Sequence, residues 1–185
     1  MARMLPQRLR LETKSDAERR LYHALQRSLP DDFVVFHSVR WLARDPQSGP
    51  QEGETDFIIA HPALGILVLE VKGGCIRYDG ALAQWYSNDT PIKDPVLQAR
   101  ESKHSLLKKL KGLPEWQNRW ITVGYAVAFP DVEVNRDLLP DLPKPLVLDA
   151  PAMMNLLACV RRAMEYWHTH DRQAGALGER GMHIL

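Results

Sequence analysis

Cysteine is scarce in this sequence. The two present, Cys75 and Cys159, lie far apart and lack C-x-x-C spacing, which argues against a structural zinc site or a disulfide scaffold and fits a reducing compartment. Neither sign of charge is in excess: 24 Lys and Arg stand against 23 Asp and Glu, a formal net charge of +1. With no global field to attract nucleic acid, any such binding has to come from local patches. Long apolar runs are missing as well. Nothing approaches the roughly 18 to 20 residues of a membrane span, and the N-terminal MARMLPQRLRLETKS lacks the apolar core of a signal peptide. A cytoplasmic protein that enters no membrane is the expectation. There is no internal repeat, no low-complexity segment and no G-x-x-x-x-G-K-[ST] phosphate loop.

What is present suffices for one domain. At 185 residues and 45% hydrophobic, the chain can bury a core without staples, and a single unit over 1–185 is expected, with its core at about 15–150 and a helical segment over 151–185. SDAERRLYHALQRSLP predicts a helix over 16–28, with Ser15 as N-cap and Ala17, Leu21, Ala24, Leu25 and Leu29 as its apolar stripe. DFVVFHSVRWL reads as a strand and ARDPQSGPQEGE as a polar surface loop. TDFIIAH, PALG and ILVLEVKGG read as strand, turn and strand, and CIRYDGALAQWYS as two short strands about Asp79-Gly80. DPVLQARESKHSLLKKLKG predicts a helix capped by Asp94, opened by Pro95 and closed by Gly112. RWITVGYAVAFP is apolar enough for a strand covered on both faces; PLVLD is a short strand, and APAMMNLLACVRRAMEYWHTH a last amphipathic helix. The tail DRQAGALGERGMHIL has no fixed reading. This order predicts a mixed α/β fold, a central mixed sheet flanked by helices.

The stretch GILVLEVKGG carries the chemistry. Strand side chains alternate, so Glu70 and Lys72 share a face with Ile66 and Val68, while Leu67, Leu69 and Val71 take the other. An unpaired charge in a dry interior is costly, so this face has to end in a cleft, a metal or an ion pair. Hairpin pairing brings Asp56, at the start of one strand, beside Glu70 and Lys72 at the end of the next. Two carboxylates there suit Mg²⁺ or Mn²⁺, and a lysine beside them can hold an attacking water and offset charge at phosphorus.

GETDFIIAHPALGILVLEVKGG resembles the Asp and Glu-x-Lys core of the PD-(D/E)XK nucleases, and most closely the nuclease-related domain, NERD. The resemblance runs from about Ser15 to Lys111. It includes Gly53-Glu54 before Asp56, the Gly-Gly after Lys72, and DPVLQA opening the next helix. It implies a restriction-endonuclease-like core and a Mg²⁺- or Mn²⁺-dependent nuclease acting on DNA, with RNA as the lesser expectation. It also implies that Asp56, Glu70, Lys72 and Gln98 serve catalysis. Asp56 and Glu70 would be metal ligands, the Val71 carbonyl a third, and Glu18 a completing carboxylate. Domains of this family often precede a helicase or kinase domain, so the chain is expected to be an N-terminal fragment joined to a helicase. The rival expectation is a non-cleaving nucleic-acid-binding or regulatory module attached to such a motor.

Plainer readings stay open at several positions. A simple same-face ion pair would also account for Glu70 and Lys72. Ser15-x-x-Glu18 is also a capping box. Asp56 could end a turn, and Gln98 could be an ordinary exposed helix residue. Arg100, His104, Lys108 and Lys111 fall on one flank of their helix as a nucleic-acid-binding stripe or a solvated face, on a different row from Gln98. His168 and His170 read as surface residues.

Overall fold

The computed structural model describes residues 1–45, 49–116, 120–135, 139–171 and 175–185, with the backbone alone over 41–45 and 49–52. A six-stranded sheet organises it. In spatial order the strands are β1 (Arg3–Leu5), β2 (Val34–Asp45), β3 (Gly49–His61), β4 (Gly65–Val71), β8 (Val123–Phe129) and β9 (Val147–Asp149). The β2–β3 and β3–β4 pairs are antiparallel; the β1–β2, β4–β8 and β8–β9 pairs are parallel. The sheet is therefore mixed, and the fold is consistent with that of a nuclease. A small antiparallel sheet of β5 (Ile76–Asp79), β6 (Gln84–Ser87) and β7 (Thr90–Ile92) is inserted after β4.

Every residue of β4 and β8 is buried, as expected for strands covered on both sides. On one face, Phe57, Ile59, Leu67 and Leu69 pack with Leu21 and Leu25 of α1 (Asp16–Ser28) and with Val160 and Ala163 of α3 (Leu156–His170). On the other, Ile58, Ala60 and Ile66 meet Leu110 of α2 (Pro95–Lys111), Trp116 and Leu177. The caps act as the sequence signals them: the Ser15 hydroxyl accepts the Glu18 N–H at 3.2 Å, and the Asp94 carboxylate accepts those of Val96 and Leu97.

Several expectations need correction. The polar loop after β2 is largely strand, because β2 and β3 stay paired out to Asp45 and Gly49. Backbone pairing sustains this ribbon despite its Gly and Pro content, and the intervening 46–48 lie outside the described residues. β1 and β7 carry no sequence signal long enough to read, and they exist because β2 and β6 offer edges. The last helix starts at Leu156 after a 3-10 turn over Pro151–Asn155, and the tail forms α4 (Gly178–Ile184).

Candidate active site

The β3–β4 ladder runs from His61↔Gly65 to Phe57↔Leu69. One step further, the Asp56 carboxylate takes over from the backbone: its Oδ2 accepts the Val71 N–H at 2.7 Å. On the other side of β3, the β2 register passes from His37↔Phe57 to Val39↔Thr55, and Ser38 between them sits in the left-handed region at φ 55°. This local strain next to Asp56 marks where the sheet gives way to a cleft. Across it, Glu70 is 3% exposed and accepts a hydrogen bond from Lys72 Nζ at 2.6 Å. The Lys72 N–H donates to the Ala128 carbonyl at 2.9 Å, which holds the lysine at the sheet end.

The two glycines after Lys72 bring α1 to this end. A Cβ on Gly73 would come 2.8 Å from the Cβ of Ala17, so a side chain there would push the first turn of α1 away. Gly74 adopts φ 87°, and its N–H donates to Asp131 Oδ2 at 2.8 Å. Glu18 thereby reaches the cleft. Its carboxylate turns to His37, with Oε2 3.5 Å from Nε2, rather than back to Ser15, so only the Ser15 half of the capping box forms. His37 is 1% exposed, lies between Phe57 and Tyr22 at ring distances of 4.8 and 5.4 Å, and has neither ring nitrogen hydrogen-bonded among the described residues.

Glu18, Asp56, Glu70, Lys72 and Gln98 all line one cleft of about 580 Å³. Gln98 projects from the first turns of α2, and its buried Oε1 has no partner among the described residues. Arg100, His104, Lys108 and Lys111 are not brought there. A helix turns about 100° per residue, so Arg100 points roughly 200° away from Gln98, while Ser102, a turn on, shares the cleft with it. Arg100 instead pairs with Asp141 at 3.4 Å. His168 and His170 are exposed, as read.

The carboxylates hold their protons unusually tightly. Burial pushes Asp56 well above its ordinary value, the charges of Glu70 and Glu18 push it further, and the Val71 N–H and Lys72 only partly oppose them. Burial likewise raises Glu70 against the pull of Lys72, with Glu18 and Glu54 adding to the rise. Two buried carboxyl groups whose proton affinity is raised by burial and by like charges form a donor set suited to a cation. Among the described residues, no three His, Cys, Asp or Glu side chains gather into a metal cage of their own.

Residues 13–130, well over half of the chain, match the family model of the nuclease-related domain. The chain belongs to this family. Comparison with curated proteins and with solved structures gave no match. The matched span of the nuclease-related domain covers α1 to β8 and so contains Glu18, Asp56, Glu70, Lys72 and Gln98, whereas from beyond it β9 extends the sheet and α3 and α4 pack against it. No helix among the described residues is long and apolar enough to cross a membrane.

Sequence reasoning missed His37 and Ser38. Their signal is a pair of polar residues inside the apolar VVFHSVR, which alternation alone leaves indistinguishable from an outward-facing polar position.

Proposed function

We propose that this nuclease-related domain is a divalent-metal-dependent nuclease of the PD-(D/E)XK type that hydrolyses phosphodiester bonds of DNA. The observation that carries the reading is the meeting of Asp56, Glu70 and Lys72 at one sheet end, inside a cleft. Asp56, Glu70 and the Val71 carbonyl would hold Mg²⁺ or Mn²⁺, with water completing the shell and Glu18 acting on it from the second row. Such an ion, when bound, acidifies water and neutralises charge on a phosphoryl oxygen.

The rest is done by the chain. Lys72, anchored by Glu70, holds the attacking water through its remaining N–H donors and offsets charge that develops on the phosphate. The Gln98 amide, whose buried oxygen lacks a partner among the described residues, fixes the position of a water or substrate group in the same cleft. Phe57 and Leu69, fully buried beneath the pair, keep the carboxylate-bearing strands from shifting.

A second reading, a binding or regulatory module that does not cut, is favoured by one feature: Lys72 Nζ is already engaged by Glu70. Labelled DNA and RNA strands, duplexes and flaps incubated with Mg²⁺, Mn²⁺ or EDTA separate the two. Cleavage that needs the metal and disappears in Lys72→Ala supports the nuclease. Binding without cutting under every metal condition supports the module. Cytoplasmic residence and a helicase on the same polypeptide belong to this proposal.

A further inference from the structure

We infer that a nucleic-acid backbone is gripped by Arg10, Lys14, Arg40 and Lys93 around the cleft, and not by the basic flank of α2. This rests on the nuclease reading of the cleft and names the residues that hold its substrate.

The four cations come from three separate parts of the chain. Arg10 and Lys14 sit on the segment between β1 and α1. That segment is held by the Tyr22 hydroxyl donating to the Pro6 carbonyl at 2.8 Å, by Leu9 against the core, and by Arg19 donating to the Thr13 carbonyl at 3.2 Å. Arg40 projects from β2, and Lys93 immediately precedes the Asp94 cap of α2. All four line the cleft whose floor holds Glu18, Asp56, Glu70 and Lys72. Exposed cations lining a cleft that also holds buried carboxylates meet both requirements of a phosphodiester, with charge for its neighbouring phosphates and carboxylates at the point of cleavage.

Three of these cations are also uncommitted, and the fourth is weakly paired. Among the described residues Arg10, Lys14 and Lys93 form no ion pair, although Glu12 and Glu101 line the same cleft. Arg40 reaches Glu54 only at 4.0 Å, and Glu54 also accepts from the Ser38 hydroxyl. Away from the cleft, several arginines are paired: Arg19 with Asp16, Arg20 with Asp131, Arg77 with Asp79 and Asp89, Arg100 with Asp141. Arg10 lies ahead of the matched span 13–130, so the family match does not assign it.

The test is fluorescence anisotropy of the full chain with a short fluorescein-labelled DNA duplex and its single strand, in Ca²⁺ and across a KCl series. Variants are Arg10→Gln/Lys14→Gln, Arg40→Gln/Lys93→Gln and, on α2, His104→Gln/Lys108→Gln/Lys111→Gln. Each rim pair is expected to weaken binding about tenfold or more and to lower the salt slope by about one for each phosphate no longer neutralised, with melting temperature unchanged. The α2 variant should stay within about twofold of the wild type. Loss of affinity in the α2 variant with the rim variants unaffected overturns the inference while leaving the nuclease reading standing. Wild-type chain that neither binds nor cuts any probe overturns both.

Discussion

Glu70, at the end of β4, and Asp149, at the end of β9, are each 3% exposed and each paired with a lysine, yet their proton affinities move in opposite directions. Burial pushes both up. At Asp149 the push is overcome by Lys144 and by the N–H groups of Val134 and Ala152, which together hold the carboxyl below its ordinary value. At Glu70 burial weighs most, the like charges of Glu18 and Glu54 add to it, and Lys72, its one donor among the described residues, does not offset them, so it ends above its ordinary value. Equal exposure to solvent thus accompanies two different settings, because Glu70 lies deeper among protein atoms than Asp149. Asp149 is saturated with donors and fastens a loop to a strand; Glu70 keeps acceptor capacity that the fold does not use.

Substitution at each position tests that contrast most strongly. Glu70→Gln is expected to lower kcat/KM on DNA by about a hundredfold or more while the unfolding free energy holds or rises, since the amide still accepts from Lys72. Asp149→Ala should do the reverse: it strands two N–H groups and an ammonium and costs about 3 kcal/mol in urea unfolding, with activity per folded molecule little changed. Equal losses of stability in both variants would break the comparison. Lys72→Ala is of comparable size. Cleavage should vanish while Mn²⁺ affinity, read by calorimetry, stays within a few-fold of wild type; a metal-affinity loss as large as that of Glu70→Gln would reduce the pair to a plain ion pair.

The pH dependence of stability sharpens it further. Asp56 and Glu70 have folded-state values above those of the unfolded chain, so the folded state holds the extra protons. Their contribution is fully present below the unfolded values and is lost as pH rises through the folded ones. Asp149 is depressed, so its contribution is present above its unfolded value and is lost as pH falls through the folded one. In EDTA, Asp56→Asn should therefore flatten the fall in stability on the alkaline side of the ordinary carboxylate range and leave the acid limb alone, whereas Asp149→Ala should flatten the acid limb. Urea titrations across pH read both. A variant that flattens the wrong limb contradicts the assignment.

The smallest effect belongs to Glu18 and His37. Glu18→Gln should lower activity a few-fold at limiting Mg²⁺ and recover at high Mg²⁺, with the melting temperature unchanged. His37→Phe keeps the ring packing against Phe57 and Tyr22 but removes the nitrogen that faces Glu18, so it should shift the Mg²⁺ curve in the same direction. The double variant should then add little to either single change. Superimposable curves for wild type and Glu18→Gln would remove Glu18 from the site.

Much of the scaffold is legible in the order of residues alone. Ser15, Asp94-Pro95 and Gly112 bound α1 and α2 as their cap chemistry predicts, and the nearly unbroken apolar run of β8 lies covered on both faces. The sharing of one strand face by Glu70 and Lys72 is legible too. These signals act over a few residues: a hydroxyl caps the turn beside it, and alternation is a property of one strand. What the chain order does not contain is decided by long-range placement. β1 and the ribbon beyond Val39 exist because neighbouring strands offer partners. Glu18 faces the carboxylates because Gly73 lets α1 close on the sheet end, and the basic row of α2 lies outside the cleft because packing presents Gln98 and Ser102 instead. The composition of 24 basic and 23 acidic residues is blind to where cations stay unpaired. Residues as far apart as Arg10 and Lys93 share a rim only once the sheet has formed, and the opposite behaviour of Glu70 and Asp149 depends on donors that only the folded chain brings within reach.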